Sequence, residues 1–273
     1  MKVTTIARNP ANSPGMTNSD EAILALVEKE LASMGHTVER IGEEQIPSED
    51  TTIVCHMSRN RATLKTLKEA EAKGCIVLNT PTSVEHCSRL EQMLKLQENE
   101  ILQPPFSIIA NEKELLNAPF PGWLKKSAGW VQHKEEVSYV TGYDEASKAL
   151  KKIKEYGCEG AIFSKHIEGD IIKFYGIEGG YFTYSYPNPE KSKFGLEKIN
   201  GTPKGYMFNK EELRQKAFEA AKCLGLSIFG GDCIVTPKGE IYFIDINDFP
   251  SFVAVRETAA HHIAKLIVSK KRE

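Results

Sequence analysis

The sequence predicts an α/β fold class, with a small parallel-sheet domain at the N-terminus followed by lobes of mixed α+β character. Three observations point there. The first eighty residues alternate short β-branched runs with helix-period stretches. Further on, short strands follow one another with few helices between them. The pair Pro104-Pro105 breaks the chain between the two patterns. A length of 273 residues, 41% hydrophobic and 26% charged, is enough for two or three compact lobes. Lys+Arg at 35 against Asp+Glu at 37 leaves a net charge of −2, without the basic footprint of a nucleic-acid binder. Six cysteines with no CxxC spacing read as thiols of a reducing compartment. The start MKVTTIARNP has no long apolar run, and no stretch approaches the roughly 18 apolar residues of a membrane span. The expectation is a cytoplasmic protein with neither a nucleic-acid nor a membrane partner.

Taken in order, Lys2–Ala7 and Thr51–His56 are β-branched runs. Between them, Asn18 or Ser19 caps a helix whose apolar residues Ile23, Leu26, Val27, Leu31 and Met34 keep helical spacing. Gly35 closes that helix in a left-handed turn, and Thr37–Ile41 is extended. Arg61–Lys73 is a second helix closed by Gly74, and Cys75–Asn79 a buried strand. Asn79-Thr80-Pro81 ends the repetition, and a helix over Val84–Gln97 leads to the double proline. Strands follow near Phe106–Ala110, Gly122–Lys126 and Glu136–Thr141, then a helix over Asp144–Tyr156 and a strand over Gly160–Ile167. Ile171–Ile177 and Tyr181–Tyr186 are strands, whereas Pro187–Met207, rich in Lys, Gly, Pro and Asn, is a loop. Asn209 with Glu212 starts a helix reaching Leu224 before Gly225. Two strands and a helix over Val255–Val268 complete the chain, which shows no internal repeat.

The two late strands carry the most chemical information. Gly231 to Asn247 reads as a hairpin turning at Pro237-Lys238. Strand side chains alternate, so Asp245 and Asn247 share a face. An even-length loop puts Asp232 on that face too, diagonal to Asp245 and about 7–8 Å away. A three-residue loop with a bulge at Gly239 shifts the parity and separates them. Each residue alone is an ordinary turn or strand-end residue. Two acids inside otherwise apolar strands are harder to dismiss, because burying unpaired carboxylates is costly. Carboxylate and amide oxygens suit Mg²⁺, or Mn²⁺, completed by phosphate oxygens and water.

The run GGDCIVTPKGEIYFIDINDFPSF resembles the metal-binding strands of the ATP-grasp superfamily, above all in Ile244-Asp245-Ile246-Asn247-Asp248-Phe249-Pro250-Ser251. The resemblance extends from about Asn79 to Ile267 and implies an ATP-grasp fold preceded by a small Rossmann-like parallel-sheet domain. It divides the chain into an N-terminal domain over 1–80, a linker helix and lid over 81–163, and a metal-bearing subdomain over 164–273. It implies ATP and Mg²⁺ as cofactors, with Asp232, Asp245 and Asn247 as metal ligands. It assigns Lys125 to the phosphates, the stretch from Ser127 to the loop over them, and Lys165, His166 and Ile167 to the adenine hinge. Asp170 is the ribose acid, and Lys173 faces the transferred phosphoryl group. Arg256 is a candidate for an anionic substrate, with a pocket drawing on Arg8, Asn9, Ser58 and Arg59. Members are often homodimers.

Most of the superfamily are ligases that turn a small-molecule carboxylate into an acyl phosphate and join it to an amine. That chemistry needs positioning and charge neutralisation and no protein nucleophile. No GxSxG motif stands in the chain. Two features pull elsewhere. Gly230 stands where D-alanine–D-alanine ligases carry an arginine, and Ile172-Lys173-Phe174-Tyr175 with Ile-Asp-Ile-Asn also resembles the inositol trisphosphate kinase branch. That alternative calls for a basic cluster, for which the N-terminal lobe offers Arg8, Arg59 and Arg61. A non-catalytic ATP-binding protein is the third reading.

Overall fold

The computed structural model describes residues 1–187 and 196–270. The chain opens with β1 (Lys2–Ile6), α1 (Thr17–Ser33), β2 (Thr37–Ile41), β3 (Ile53–His56), α2 (Arg61–Ala72) and β4 (Ile76–Leu78). The four strands form one parallel sheet in the order β2-β1-β3-β4, the crossover pattern expected of alternating strands and helices. Helix α1 starts at Thr17 behind Met16, which offers no side-chain cap, and not behind Asn18 or Ser19. Asn60 caps α2 by accepting the Ala62 N–H at 2.8 Å.

The single helix expected over Val84–Gln97 is two helices, α3 (Pro81–His86) and α4 (Arg89–Glu98). Ser88 sits in an extended conformation (φ −64°, ψ 139°), which no helix can continue through. The break leaves Arg89 on the first turn of α4.

The middle of the chain forms β5 (Phe106–Ile109), β6 (Gly122–Lys126), β7 (Val137–Val140), α5 (Tyr143–Glu155) and β8 (Ala161–Lys165). They make an antiparallel sheet ordered β5-β8-β6-β7. Helix α5 covers one face, packing Ala146, Leu150 and Ile153 against Leu124 and Phe163. The last part forms β9 (Asp170–Ile177), β10 (Tyr181–Ser185), α6 (Lys210–Leu224), β11 (Ile228–Val235), β12 (Ile241–Asp248) and α7 (Arg256–Lys270). Its sheet is antiparallel in the order β10-β9-β11-β12. Of the loop expected over Pro187–Met207, residues 188–195 lie outside the described residues, and Leu196–Ile199 is a short 3-10 turn.

The N-terminal sheet does not pack alone. Its Val3, Ile53 and Leu78 share one core with α1, with Ile263 and Ile267 of α7, and with Ile177, Ile228, Phe249 and Phe252. Buried Asn79 adds a polar seam: its Nδ2 donates to Ile228 O at 2.8 Å and its Oδ1 accepts the N–H groups of Ser227 and Ile228, both at 2.9 Å. The end of the first lobe therefore grips the start of β11. Among the described residues no helix is long and apolar enough to cross a membrane.

Candidate active site

The β11–β12 hairpin resolves the parity question in two steps. Its turn is the three-residue loop: Thr236 N donates to Glu240 O, Gly239 N donates to Thr236 O, and Gly239 has φ +83°. A Cβ at Gly239 would also come within 2.9 Å of Met207 O. That turn pairs Val235 with Ile241 and Cys233 with Phe243, a register that would leave Asp232 facing Ile244. A second bulge between Asp232 and Cys233 inserts Ile244 as the extra residue, and Asp232 then stands directly opposite Asp245. Buried and half-buried residues along β12 alternate up to Ile244, which with its neighbour Asp245 is half-buried, and then alternate again. Both Ile244 and Asp245 reach the same cavity. The acids are thus direct cross-strand partners and not diagonal ones.

On the other side of β11, Asp232 pairs with Lys173 of β9, whose Nζ lies 2.9 Å from Asp232 Oδ1. Lys173, Asp232 and Asp245 form a row across three strands. Asn247 follows two residues along, its Nδ2 3.3 Å from Asp245 Oδ2. Strand β12 is a sheet edge, and the side chain of Gln92 on α4 completes it. Gln92 Nε2 donates to Ile246 O at 2.5 Å and its Oε1 accepts the Ile246 N–H at 3.0 Å. A glutamine amide thereby stands in for a neighbouring strand between the two candidate ligands. Nothing local in the sequence signals a partner 154 positions away.

Lys173, Asp232, Asp245 and Asn247 line one cavity of about 340 Å³ between the β5-β8-β6-β7 sheet and the C-terminal sheet. Trp123 and Lys125 of β6 enter it from the lid, with Arg89 from α4. Lys125, flanked by apolar wall, has its ammonium pushed down to about 7, mainly by burial and then by the charge of Arg89, with Asp245 and Asp232 opposing. Its neighbour Lys126 points the other way into a buried ion pair with Glu136 at 2.8 Å. The alternation of the strand settles which of the two lysines faces the cavity. Arg89 was missed in the sequence; its Nε is buried without a hydrogen-bond partner, as are Trp130 Nε1 and Ser164 Oγ, all on the cavity wall. Three orphaned polar groups around one space point to a polar ligand.

Of the remaining sequence candidates, Lys165 and Ile167 line the cavity. His166 lies off the cavity wall: its Nδ1 accepts the Trp123 indole N–H at 3.1 Å, and its backbone N–H donates to Pro121 O. Ser127 lies off the wall, its hydroxyl donating to Gly160 O at 2.9 Å. Asp170 is buried and fully engaged, accepting the N–H groups of Lys204, Gly205 and Tyr206 at 2.7, 2.7 and 2.9 Å. It pins the loop over 204–206 and lies off the cavity wall. Arg256 sits on the first turn of α7 beside Ser251 O, off the cavity wall. Arg8 is buried too, ion-paired with Asp20 and Asp248 and donating to the carbonyls of Met57, Asp248 and Phe249. Cys87 touches the cavity, but burial holds its thiol well above the ordinary cysteine range, which leaves no thiolate nucleophile.

The donor set fits a hard cation. Asp232, Asp245 and Asn247 offer oxygens on one face, and the Lys173 ammonium already lies against Asp232. Among the described residues no group of three or more His, Cys, Asp or Glu could hold a metal, so an ion here would take further ligands from phosphate oxygens and water.

No protein-family model and no curated protein matches the chain. Solved structures do resemble it. An ATP-grasp RimK domain protein from Sphaerobacter thermophilus superposes with TM-score 0.73 at 14% identity, covering 98% of this chain and 99% of that one. D-alanyl-alanine synthetase A from Vibrio cholerae gives 0.73 at 12%, covering 98% and 96%. D-alanine–D-alanine ligase from Bacillus anthracis, in a structure complexed with ATP, gives 0.72 at 15%, covering 98% and 96%. At such identities the likeness is one of fold: the chain has the ATP-grasp fold, preceded by a parallel-sheet lobe.

Proposed function

We propose that this ATP-grasp chain is a Mg²⁺–ATP-dependent ligase that activates a small-molecule carboxylate as an acyl phosphate and joins it to an amine. The observation that carries the reading is the row Lys173–Asp232–Asp245 facing Lys125 and Arg89 across one cavity. Asp232, Asp245 and Asn247 would hold Mg²⁺, or Mn²⁺ on the same oxygens, and the ion supplies charge neutralisation at the phosphates. Lys125 and Arg89 approach from the opposite wall and make charge-assisted hydrogen bonds to phosphate oxygens. Lys165 and Ile167 offer backbone at the hinge for the adenine.

In the reaction a carboxylate oxygen attacks the γ-phosphorus, the bond to the β–γ bridging oxygen breaks, and ADP leaves with the electron pair. The amine nitrogen then attacks the acyl carbon, phosphate departs, and the nitrogen loses a proton. Lys173, beside the metal face, offsets charge on the phosphoryl group in transit. The solved structures named as D-alanine–D-alanine ligases, one complexed with ATP, support this class. Gly230 stands where the resemblance to D-alanine–D-alanine ligases would place an arginine. A Cβ there would lie 2.9 Å from Phe174 O, Pro250 Cγ and Tyr175 Cδ1, so no arginine fits this position.

The kinase reading is weaker on geometry. Arg8 is ion-paired with Asp20 and Asp248, Arg59 gives Nε and Nη2 to Asp248, and Arg61 is exposed on α2, so among the described residues these three arginines of the N-terminal lobe do not gather around one anion. The test is phosphate release from Mg²⁺–ATP with a panel of amino acids and other carboxylates, with and without an amine. Rapid release only when both partners are present is the expected result, since an enclosed acyl phosphate reaches water slowly. A single alcohol giving stoichiometric ADP and a stable phosphorylated product, with no free phosphate, would overturn it.

A further inference from the structure

The end of the C-terminal sheet away from the hinge carries an arrangement that nucleotide binding does not account for. Along β9, β11 and β12 the hinge end is marked by Asp170 and Val235, and the opposite end by Phe229 and Asp248. At that far end Asp248, 1% exposed, is held from two sides by the N-terminal lobe. Arg59 gives both Nε (2.9 Å) and Nη2 (2.5 Å) to Asp248 Oδ1, and Arg8 gives Nη2 to Oδ2 at 3.3 Å. Arg8 also meets Asp20 at 3.2 Å. The four charges cancel, so the cluster is neutral as it stands.

Arg59 nevertheless keeps a donor in hand. Its side chain is 10% exposed and lines the cavity, and no group among the described residues engages its Nη1. The guanidinium carbon lies 5.2 Å from the centre of the Trp130 indole, in the loop that follows β6. That indole has its own buried Nε1–H without a partner, and Trp130 lines the same cavity as Asn247. Two unused donors, one on a guanidinium fixed by the buried carboxylate that follows Asn247, thus belong to the cavity that Asp232, Asp245 and Asn247 also line. A preorganised planar donor of this kind matches a carboxylate. A neutral cluster with one spare cationic edge suits a single negative charge and not a polyphosphate.

We propose that Arg59 and Trp130 form a carboxylate subsite at the far end of the cavity, anchoring a monoanionic second substrate, such as an amino acid bound through its carboxylate, next to the phosphate-transfer centre. The subsite deepens the ligase reading, and its naming as a substrate site rests on that reading.

The test uses the full chain with acetate as the probe. The protein has two tryptophans, Trp123 and Trp130, so two indole N–H resonances report on it, one already bonded to His166. Acetate titrated in the presence of Mg²⁺ and a non-hydrolysable ATP analogue should move the Trp130 resonance downfield with a millimolar Kd, and leave Trp123 in place. Acetamide should give no saturable shift, and inorganic phosphate should bind more weakly than acetate. Arg59→Met should weaken acetate about tenfold or more, with the unmoved Trp123 resonance confirming the fold. Should that variant fail to fold, Trp130→Phe keeps the ring over Arg59 and removes only the indole donor. It should cost several-fold in acetate affinity, read at the Arg59 Nε–H resonance. Equal response to acetamide, tighter binding of phosphate, unchanged affinity in both variants, or no acetate response once the analogue is bound would overturn the subsite. Because acetate binding needs no turnover, acetate bound in a protein that never hydrolyses ATP would leave the subsite standing and remove the ligase. Turnover without any acetate response would do the reverse.

Discussion

At the scale of single residues the site turns on which way adjacent side chains point. Lys125 and Lys126 are chemically alike and neighbours, yet one faces the cavity and the other is sealed against Glu136. Their substitutions should therefore separate cleanly. Lys125→Ala should weaken binding of a non-hydrolysable Mg²⁺–ATP analogue by tenfold or more with little change in stability. Lys126→Ala should leave nucleotide affinity within about twofold and destabilise the fold by about 3–5 kcal/mol, because Glu136 stays buried without its partner. Calorimetric titration and urea unfolding of both proteins check the pair, and the reverse pattern would reassign the lysines. Lys125 also predicts a proton effect. With its ammonium held near 7 in the free protein, it is mostly neutral at pH 8.5, and phosphate favours the charged form. Binding should take up close to one proton at pH 8.5 and almost none at pH 6. Affinity should fall by up to about tenfold per pH unit above 7. Titrations in two buffers of different ionisation enthalpy measure the uptake, which Lys125→Met should abolish.

At the scale of elements, much was legible and the failures have physical causes. Helical and strand periodicities located every long helix and every strand of the C-terminal sheet, because those faces are buried and the pattern follows burial. The parity of the β11–β12 hairpin was the instructive case. The three-residue turn at Gly239 does form, and by itself it would separate Asp232 from Asp245. The bulge at Ile244 restores the pairing, and no local residue preference marks that position. The helix break at Cys87–Ser88 and the roles of Arg89 and Gln92 were equally hidden, since each depends on contacts far along the chain. The surroundings of Asp170 were hidden for a related reason: an acid at a strand start looks the same whether it faces a cavity or three backbone N–H groups, as here. Gln92 offers the test at this scale. Gln92→Met preserves volume but strands the buried N–H and C=O of Ile246, at about 1–3 kcal/mol each. Thermal or urea unfolding should show that loss, and Mg²⁺–nucleotide affinity should drop several-fold as β12 loosens between Asp245 and Asn247. Unchanged values would remove Gln92 as the support of the edge.

At the scale of the whole molecule, the two antiparallel sheets face one space, and the first lobe reaches it through Arg59 in the loop after β3. Its Asn79 holds the start of β11, its Arg8 and Arg59 hold Asp248 just after Asn247, and its sheet shares a core with α7. Two buried aromatic residues of the intervening loop, Phe249 and Phe252, adopt φ of 35° and 48°, a conformation side chains rarely take and one the surrounding packing must impose. Strand β6 supplies Lys125 and α4 supplies Arg89, the C-terminal sheet supplies Lys173 and the carboxylates, and the N-terminal lobe fixes the strand end. The division of labour predicts that nucleotide binding depends on the metal face as a unit. The most direct measurement is calorimetric titration of a non-hydrolysable ATP analogue with and without Mg²⁺, in the native protein and in Asp245→Asn, whose fold is checked by circular dichroism. The native protein should bind at least about tenfold more tightly with Mg²⁺, and Asp245→Asn should lose that dependence and all ATP turnover. Equal binding by the native protein without Mg²⁺, or an Asp245→Asn protein that keeps both its Mg²⁺ dependence and its turnover, would contradict the assignment of this cavity as a metal–ATP site.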